Sequence, residues 1–227
     1  MSKAAPITFH DARLMLNGDG TIFWPDESLL IVSDLHLEKG AALSTGAPLP
    51  HYDTIDTLQR LQDRLLSAAA KRLVCLGDSF HTTERAFLLP PDHLQFLHQI
   101  SKQSDIYWVT GNHDAQLPER LPGRIINELD IKGIRLCHET DGADLPTISG
   151  HYHPKARVQL RARYLSARCF IESPTDIIMP AFGSYTGGLN IHHEALIPFL
   201  QKKTRIHLIH DKNCYTVPYQ KQLFKNM

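Results

Sequence analysis

Five short runs of the chain each set a metal-seeking side chain beside a glycine or a second such side chain. They are Asp34-Leu35-His36, Gly77-Asp78-Ser79-Phe80-His81, Gly111-Asn112-His113-Asp114, Cys137-His138 and Gly150-His151-Tyr152-His153. Imidazole nitrogens, carboxylates and one amide oxygen in this mixture suit divalent cations, with no thiolate ligand required. There are donors for two ions. Asp34 and His36, two apart on an extended segment, point the same way, and His153 completes their site. Asn112, His138 and His151 supply the second, and His151 and His153 share one side of their strand. Asp78, in the tight turn that Gly77 permits, is the carboxylate expected to bridge both. Two cations about 3.5–4 Å apart acidify water for in-line attack on phosphorus and stabilise the charge that develops. His113 is then the group expected to serve the leaving alkoxide, with Asp114 holding its imidazole in one tautomer.

Hydrophobic patterning shows which elements carry these groups. Alternation through Arg13-Leu14-Met15-Leu16, a turn at Asn17-Gly18-Asp19-Gly20 and the run Thr21-Ile22-Phe23-Trp24 read as a hairpin. Ser28–Ser33, Leu73–Leu76 and Ile106–Val109 are apolar runs of the kind buried on both faces, and each ends just before a candidate ligand. Between them, Ile55, Leu58, Leu61, Leu65, Leu66 and Ala69 recur at helical spacing after the N-cap candidate Asp53. A second helix runs from Pro90-Pro91-Asp92 to about Gln103. The later segments Ile125–Leu129, Ile134–Cys137, Val158–Tyr164 and Arg205–His210 predict a second, largely antiparallel sheet.

The 227 residues suffice for one large α/β domain spanning 1–227, with no linker or repeat. Lys+Arg and Asp+Glu are equal at 24 each, so attraction to a polyanion must be local. Cys75, Cys137, Cys169 and Cys214 are widely spaced without C-x-x-C, as free thiols in a reducing compartment would be. No apolar leader and no span of about 18 apolar residues is present, so cytoplasm and no membrane are expected.

Lys155, Arg157, Arg161 and Arg163 occupy odd positions, so on one strand they form a cationic face beginning two residues from His153. A phosphate backbone fits that face, with Arg157, Arg161 and Arg163 as substrate contacts. A solvated strand face that blocks edge pairing fits equally. His10, His51, His93, His98, His192, His193, His207 and His210 have no useful partner spacing and read as surface or helix residues.

The ordered set D-x-H, G-D-x-x-H, G-N-H-D, a lone His and G-H-x-H resembles the calcineurin-like metallophosphoesterase superfamily over residues 34–153. That resemblance implies an αββα sandwich of two sheets flanked by helices. Asp34-Leu35-His36-Leu37-Glu38-Lys39-Gly40, Leu76–His81 and Pro180-Ala181-Phe182-Gly183-Ser184-Tyr185-Thr186-Gly187-Gly188 are similar to the bacterial ligase-associated DNA damage response endonuclease family. This second resemblance implies a Mn²⁺-dependent phosphodiesterase nicking single-stranded DNA in repair, with a repair helicase or ligase as partner. Ligand type alone also admits Fe²⁺ or Zn²⁺. Relatives acting on monoesters and polyphosphates carry G-D-x-x-D-R, whereas this chain has Asp78-Ser79-Phe80-His81-Thr82 without the arginine. His81 is left two roles, contact with the scissile phosphate or orientation of a metal ligand. Hydrolysis of a cyclic nucleotide or another small diester, and a scaffold that kept the fold without catalysis, remain alternatives.

Overall fold

The computed structural model describes residues 3–40, 52–160, 163–184 and 186–225. The first sheet has seven strands in chain order: β1 (Ala5–Phe9), β2 (Ala12–Leu16), β3 (Ile22–Trp24), β4 (Leu29–Val32), β5 (Arg72–Leu76), β6 (Asp105–Val109) and β7 (Arg124–Ile126). The pairs from β1 to β4 are antiparallel, and those from β4 to β7 are parallel. Helices α1 (Tyr52–Ala68), α2 (Thr83–Phe87) and α3 (Pro91–Ser101) make the connections. Asp53, expected as the α1 cap, lies within the first turn and accepts the Gly40 N–H at 2.7 Å.

The continuous apolar strands follow from burial on two faces. In β4, Leu29 and Ile31 join the core between the sheets, while Leu30 and Val32 meet the helices. Val74 and Leu76 in β5 face the first core, and Leu73 and Cys75 the second. Alternation of side-chain direction along a strand produces this division. On α1 only Leu58, Leu61 and Leu65 of the expected stripe are buried; Ile55 and Leu66 are exposed. The helix axis therefore lies nearer the Leu58–Leu61–Leu65 line than the sequence stripe implies.

The second sheet contains β8 (Glu128–Ile131), β9 (Ile134–Cys137), β10 (Thr147–Ser149), β11 (Lys155–Leu160), β12 (Arg163–Glu172), β13 (Asp176–Ile178), β14 (Arg205–His210), β15 (Asn213–Pro218) and β16 (Phe224–Lys225). It is largely antiparallel, but β10 runs parallel to both β9 and β13. The expected strand at Ile125–Leu129 is two strands, because the chain leaves the first sheet after Ile126 and enters the second at Glu128. The outer face of the second sheet packs Ala156, Val158, Ile171 and Phe224 against Ile191, Leu196 and Phe199. Among the described residues, that layer is a 3-10 turn at Ile197–Phe199 with its flanking loops. All four cysteines are free and buried. No described helix is long and apolar enough to cross a membrane.

Candidate dinuclear metal centre

Parallel strands end at a common edge, and their following loops share one space. Ser33–His36 follows β4, Gly77–Phe80 follows β5 and Thr110–Asp114 follows β6; His138 follows β9, and Gly150–His153 follows β10. The first two loops stay laced together, with the His36 N–H on the Asp78 carbonyl and the Leu37 N–H on that of Ser79, both at 2.9 Å.

The ligand pairs are not on strands. Asp34, His36, Asp78, His151 and His153 have φ of 54°, 45°, 47°, 69° and 46°. Left-handed backbone at non-glycine residues costs about 1–3 kcal/mol each and persists where surrounding contacts over-determine it. Asp34-Leu35-His36 and His151-Tyr152-His153 are therefore coils, correcting the extended reading. Gly77, at φ 70°, turns β5 into the site, and a Cβ there would lie 2.4 Å from His138 Nδ1.

Asp34, His36 and His153 each present one donor atom, all within 4.8 Å of one another, and Asp78, His138 and His151 do the same. Asn112 Oδ1 lies 2.8 Å from His138 Nε2. The structure thus brings together all seven side chains read as ligands. His36 Nε2 faces His153 Nε2 at 3.4 Å, and His138 Nε2 faces His151 Nδ1 at 3.1 Å. Ring nitrogens converging on one another and on the carboxylates of Asp34 and Asp78 fit divalent cations, which replace lone-pair repulsion by coordination.

The surroundings fix each donor. His138 Nδ1 lies 3.0 Å from the Leu76 carbonyl, so the proton belongs there and Nε2 faces the site. The Ser33 hydroxyl and the His151 N–H, the latter at 3.1 Å, donate to Asp34 Oδ2. The His113 N–H donates to Asp78 Oδ1 at 2.9 Å. Burial, with the charge of His153 adding, pushes His36 down to about 4, so it is neutral with a free lone pair at neutral pH. Burial works against ionising Asp78, yet the hydrogen bond and charge of His138 hold it down to about 2. Burial likewise opposes a charged His138, but its bond to Asp78 and the charges of Asp34 and Asp78 lift it to about 9. That negative field favours any cation that enters.

Asp114 does something other than expected. It is fully buried and accepts from the backbone N–H groups of Asp78 at 3.1 Å, Gly111 at 2.9 Å and Phe80 at 3.0 Å. It clamps two loops together and does not touch the His113 ring. That ring is half-exposed, with Nε2 4.0 Å from Asp78 Oδ2. The His81 ring stacks on it at 6.2 Å between centroids and 19° between planes.

The single cationic strand is also corrected. Leu160 pairs with Arg163 across a hairpin, so the run divides between β11 and β12. Arg161 lies outside the described residues, Arg163 opens the second strand, and the Arg157 guanidinium sits 4.4 Å from the Tyr164 ring centroid. Two histidines read as surface or helix residues are buried partners of acids: His93 Nδ1 is 2.7 Å from Glu38 Oε1, and His207 Nε2 is 2.7 Å from Glu172 Oε2. His51 lies outside the described residues.

Two facing clusters of carboxylate, imidazole and amide donors at the edge of a two-sheet sandwich define a metal-dependent hydrolase. The calcineurin-like phosphoesterase family profile matches residues 28–209, and the chain belongs to that family. The structure is similar to that of nuclease MPE from Pseudomonas putida, with TM-score 0.73 and 28% identity over 95% of this chain and 100% of that one. Yfce, a phosphoesterase from E. coli, aligns with TM-score 0.44 and 15% identity over 84% of this chain and 98% of that one. No curated protein matches the sequence significantly.

Proposed function

We propose that this protein is a phosphodiesterase that nicks DNA, preferentially single-stranded, using two Mn²⁺ ions in a cytoplasmic repair role. The observation that carries the chemistry is the pair of three-residue donor clusters, each with its donor atoms within 4.8 Å of one another, linked where His138 faces Asp78 at 3.4 Å and Asp34 at 4.0 Å. The nucleic-acid substrate rests on the likeness to a nuclease along almost the whole chain.

In this reading Asp34, His36, Asp78 and His153 hold one ion, and Asp78, Asn112, His138 and His151 the other. The ions supply Lewis-acid activation of water and of the phosphoryl oxygens. The protein's own groups do the rest. The Leu76 carbonyl and Ser33 hydroxyl keep His138 and Asp34 aimed inward. His113, half-exposed at the mouth beside Asp78, gives a proton to the departing alkoxide, and His81 stacks against that ring to orient it. The missing arginine after Asp78 disfavours monoesters.

Circular single-stranded DNA, linear duplex, a small aryl diester and a small aryl monoester, each tested with Mn²⁺, Mg²⁺ and Zn²⁺, form the deciding experiment. Cleaved circles with Mn²⁺ are expected. Turnover confined to the monoester overturns the reading, and turnover confined to the small diester replaces it by the cyclic-nucleotide or small-diester alternative.

A further inference from the structure

Outside the metal centre, one poorly compensated charge among the described residues lies beside Ala181–Ser184. The Arg168 guanidinium is largely sunk in the protein, yet its hydrogen bond among the described residues goes to a neutral group, from Nη1 to the Ala181 carbonyl at 2.6 Å. Asp19, whose charge reaches it, is itself paired with Arg64 at 3.4 Å. Burial and the neighbouring Arg60 both press the Arg168 pKa below its ordinary value. A desolvated cation beside a second cation, without a carboxylate of its own, is costly unless an anion completes it.

The space beside it is built to admit one. A groove of about 380 Å³ is lined by Arg60, Lys155, Arg168, Phe182, Ser184 and Thr186. Arg60 gives one edge to Asp56 at 2.9 Å and spans to the Phe182 carbonyl and the Ser184 hydroxyl, which fixes it on the groove wall. Beyond Arg60, Arg168 and Phe182 the hollow continues into a second of about 470 Å³ that adds Arg64 and Lys212 along with the carboxylates of Asp19 and Asp63, so cations still outnumber acids along the two. Cations thus recur along a path longer than one phosphate, which suits a sugar-phosphate backbone better than an isolated anion.

The groove is also joined to the donor clusters. The Gly183 N–H donates to the Asp34 carbonyl at 3.1 Å, and the Phe182 N–H to that of Ser33 at 2.8 Å. On the other side, Leu189 bonds Tyr152 through its N–H and accepts from the Lys155 N–H at 2.8 Å. The groove wall at Phe182–Gly183 and Lys155 is therefore tethered through the backbone to the two loops that carry Asp34, His36 and His153.

We propose that this groove binds the phosphates of the nucleic-acid strand flanking the scissile bond, with Arg168 and Lys155 as the charge-bearing contacts and Arg60 as a wall. The proposal rests on the nuclease reading above. It replaces the single basic strand suggested by the sequence with a site assembled from α1, β11, β12 and the 180–188 loop.

The test compares kcat/KM on a single-stranded oligonucleotide of about 12 nucleotides with kcat/KM on bis-p-nitrophenyl phosphate. In Arg168→Gln and Lys155→Gln the ratio of the two falls about three- to tenfold, and further in the double variant. The slope of log affinity against log salt shrinks by about 0.7 for each contact removed. Arg168→Lys, which keeps the charge, recovers part of the ratio. Lys155→Gln, at the β11 position paired with Arg168, keeps the Arg168 guanidinium itself and reports separately if Arg168→Gln is poorly folded. Wild-type nicking with unchanged ratio and salt slope in Lys155→Gln and in the folded Arg168 variants overturns the groove while leaving the nuclease reading intact. A wild type that hydrolyses the small diester and spares every oligonucleotide overturns both.

Discussion

Asp114→Asn separates a structural clamp from a chemical role. The carboxylate accepts three backbone N–H groups with no exposure to solvent. Asparagine keeps one oxygen, which can stay on Asp78 and Gly111, but it turns an NH₂ toward the Phe80 N–H. One hydrogen bond to a charged acceptor is lost and a buried donor is orphaned, a loss of about 2–4 kcal/mol. Burial raises the Asp114 pKa, so neutralising the side chain returns part of that cost and puts the net at the lower end, about 2–3 kcal/mol. For a domain of this size the melting temperature falls by about 4–12 °C. Thermal denaturation of chelator-treated protein measures it without interference from bound ions. Because the Asp78 and Gly111 loops loosen together, metal affinity also weakens. An unchanged melting temperature accompanied by a large drop in kcat would refute the clamp and return Asp114 to the chemistry of His113.

Asp78→Ala should abolish turnover, by about 10³-fold or more, and lower the metal content measured by elemental analysis, because the proposed function assigns this carboxylate to both ions. A variant retaining two ions and activity contradicts the shared-ligand assignment. Gly111→Ala puts a Cβ 2.2 Å from Asp78 Oδ1, so activity should fall with little loss of secondary structure by circular dichroism. Chelation should lower the melting temperature by about 5–10 °C, the effect of losing a ligand present at about 100 times its Kd, and Mn²⁺ should restore it. Buried Glu172 is held below the ordinary carboxylate range, against the pull of burial, by His207 and Arg205. Its stabilising contribution is fully present above the ordinary Glu pKa and is lost as pH falls through the depressed folded value. Wild type and Glu172→Gln should therefore differ in melting temperature at pH 7 and converge in acid.

Strands β4, β5 and β6 were legible because burial on both faces requires near-continuous apolar runs, and the ligands come shortly after those runs. The hairpin between β11 and β12 was not, since the alternation from Lys155 to Tyr164 continues through the reversal with no Gly, Pro or Asn to mark it. The left-handed backbone at Asp34 and His36 is equally silent, because Asp and His do not signal φ as glycine does. Asp114 misled because two of its three partners are backbone groups of a remote loop, invisible to side-chain spacing. The partners of His93 and His207 lie 55 and 35 residues away, beyond any local pattern. The short helix α2 went unread in the sequence, although the Thr82 hydroxyl caps it by accepting from the Arg85 N–H at 3.2 Å.

Asp34, His36, Asp78 and Asn112 belong to loops of the first sheet, whereas His138, His151 and His153 belong to the second. Neither layer alone supplies a complete donor cluster. Ion capture consequently has to wait until both layers have met, which makes it a late event in maturation rather than a nucleus for it. Once seated, each ion rivets the rim of one layer to the other, so tension that prises the layers apart and a chelator that strips the ions attack the same seam.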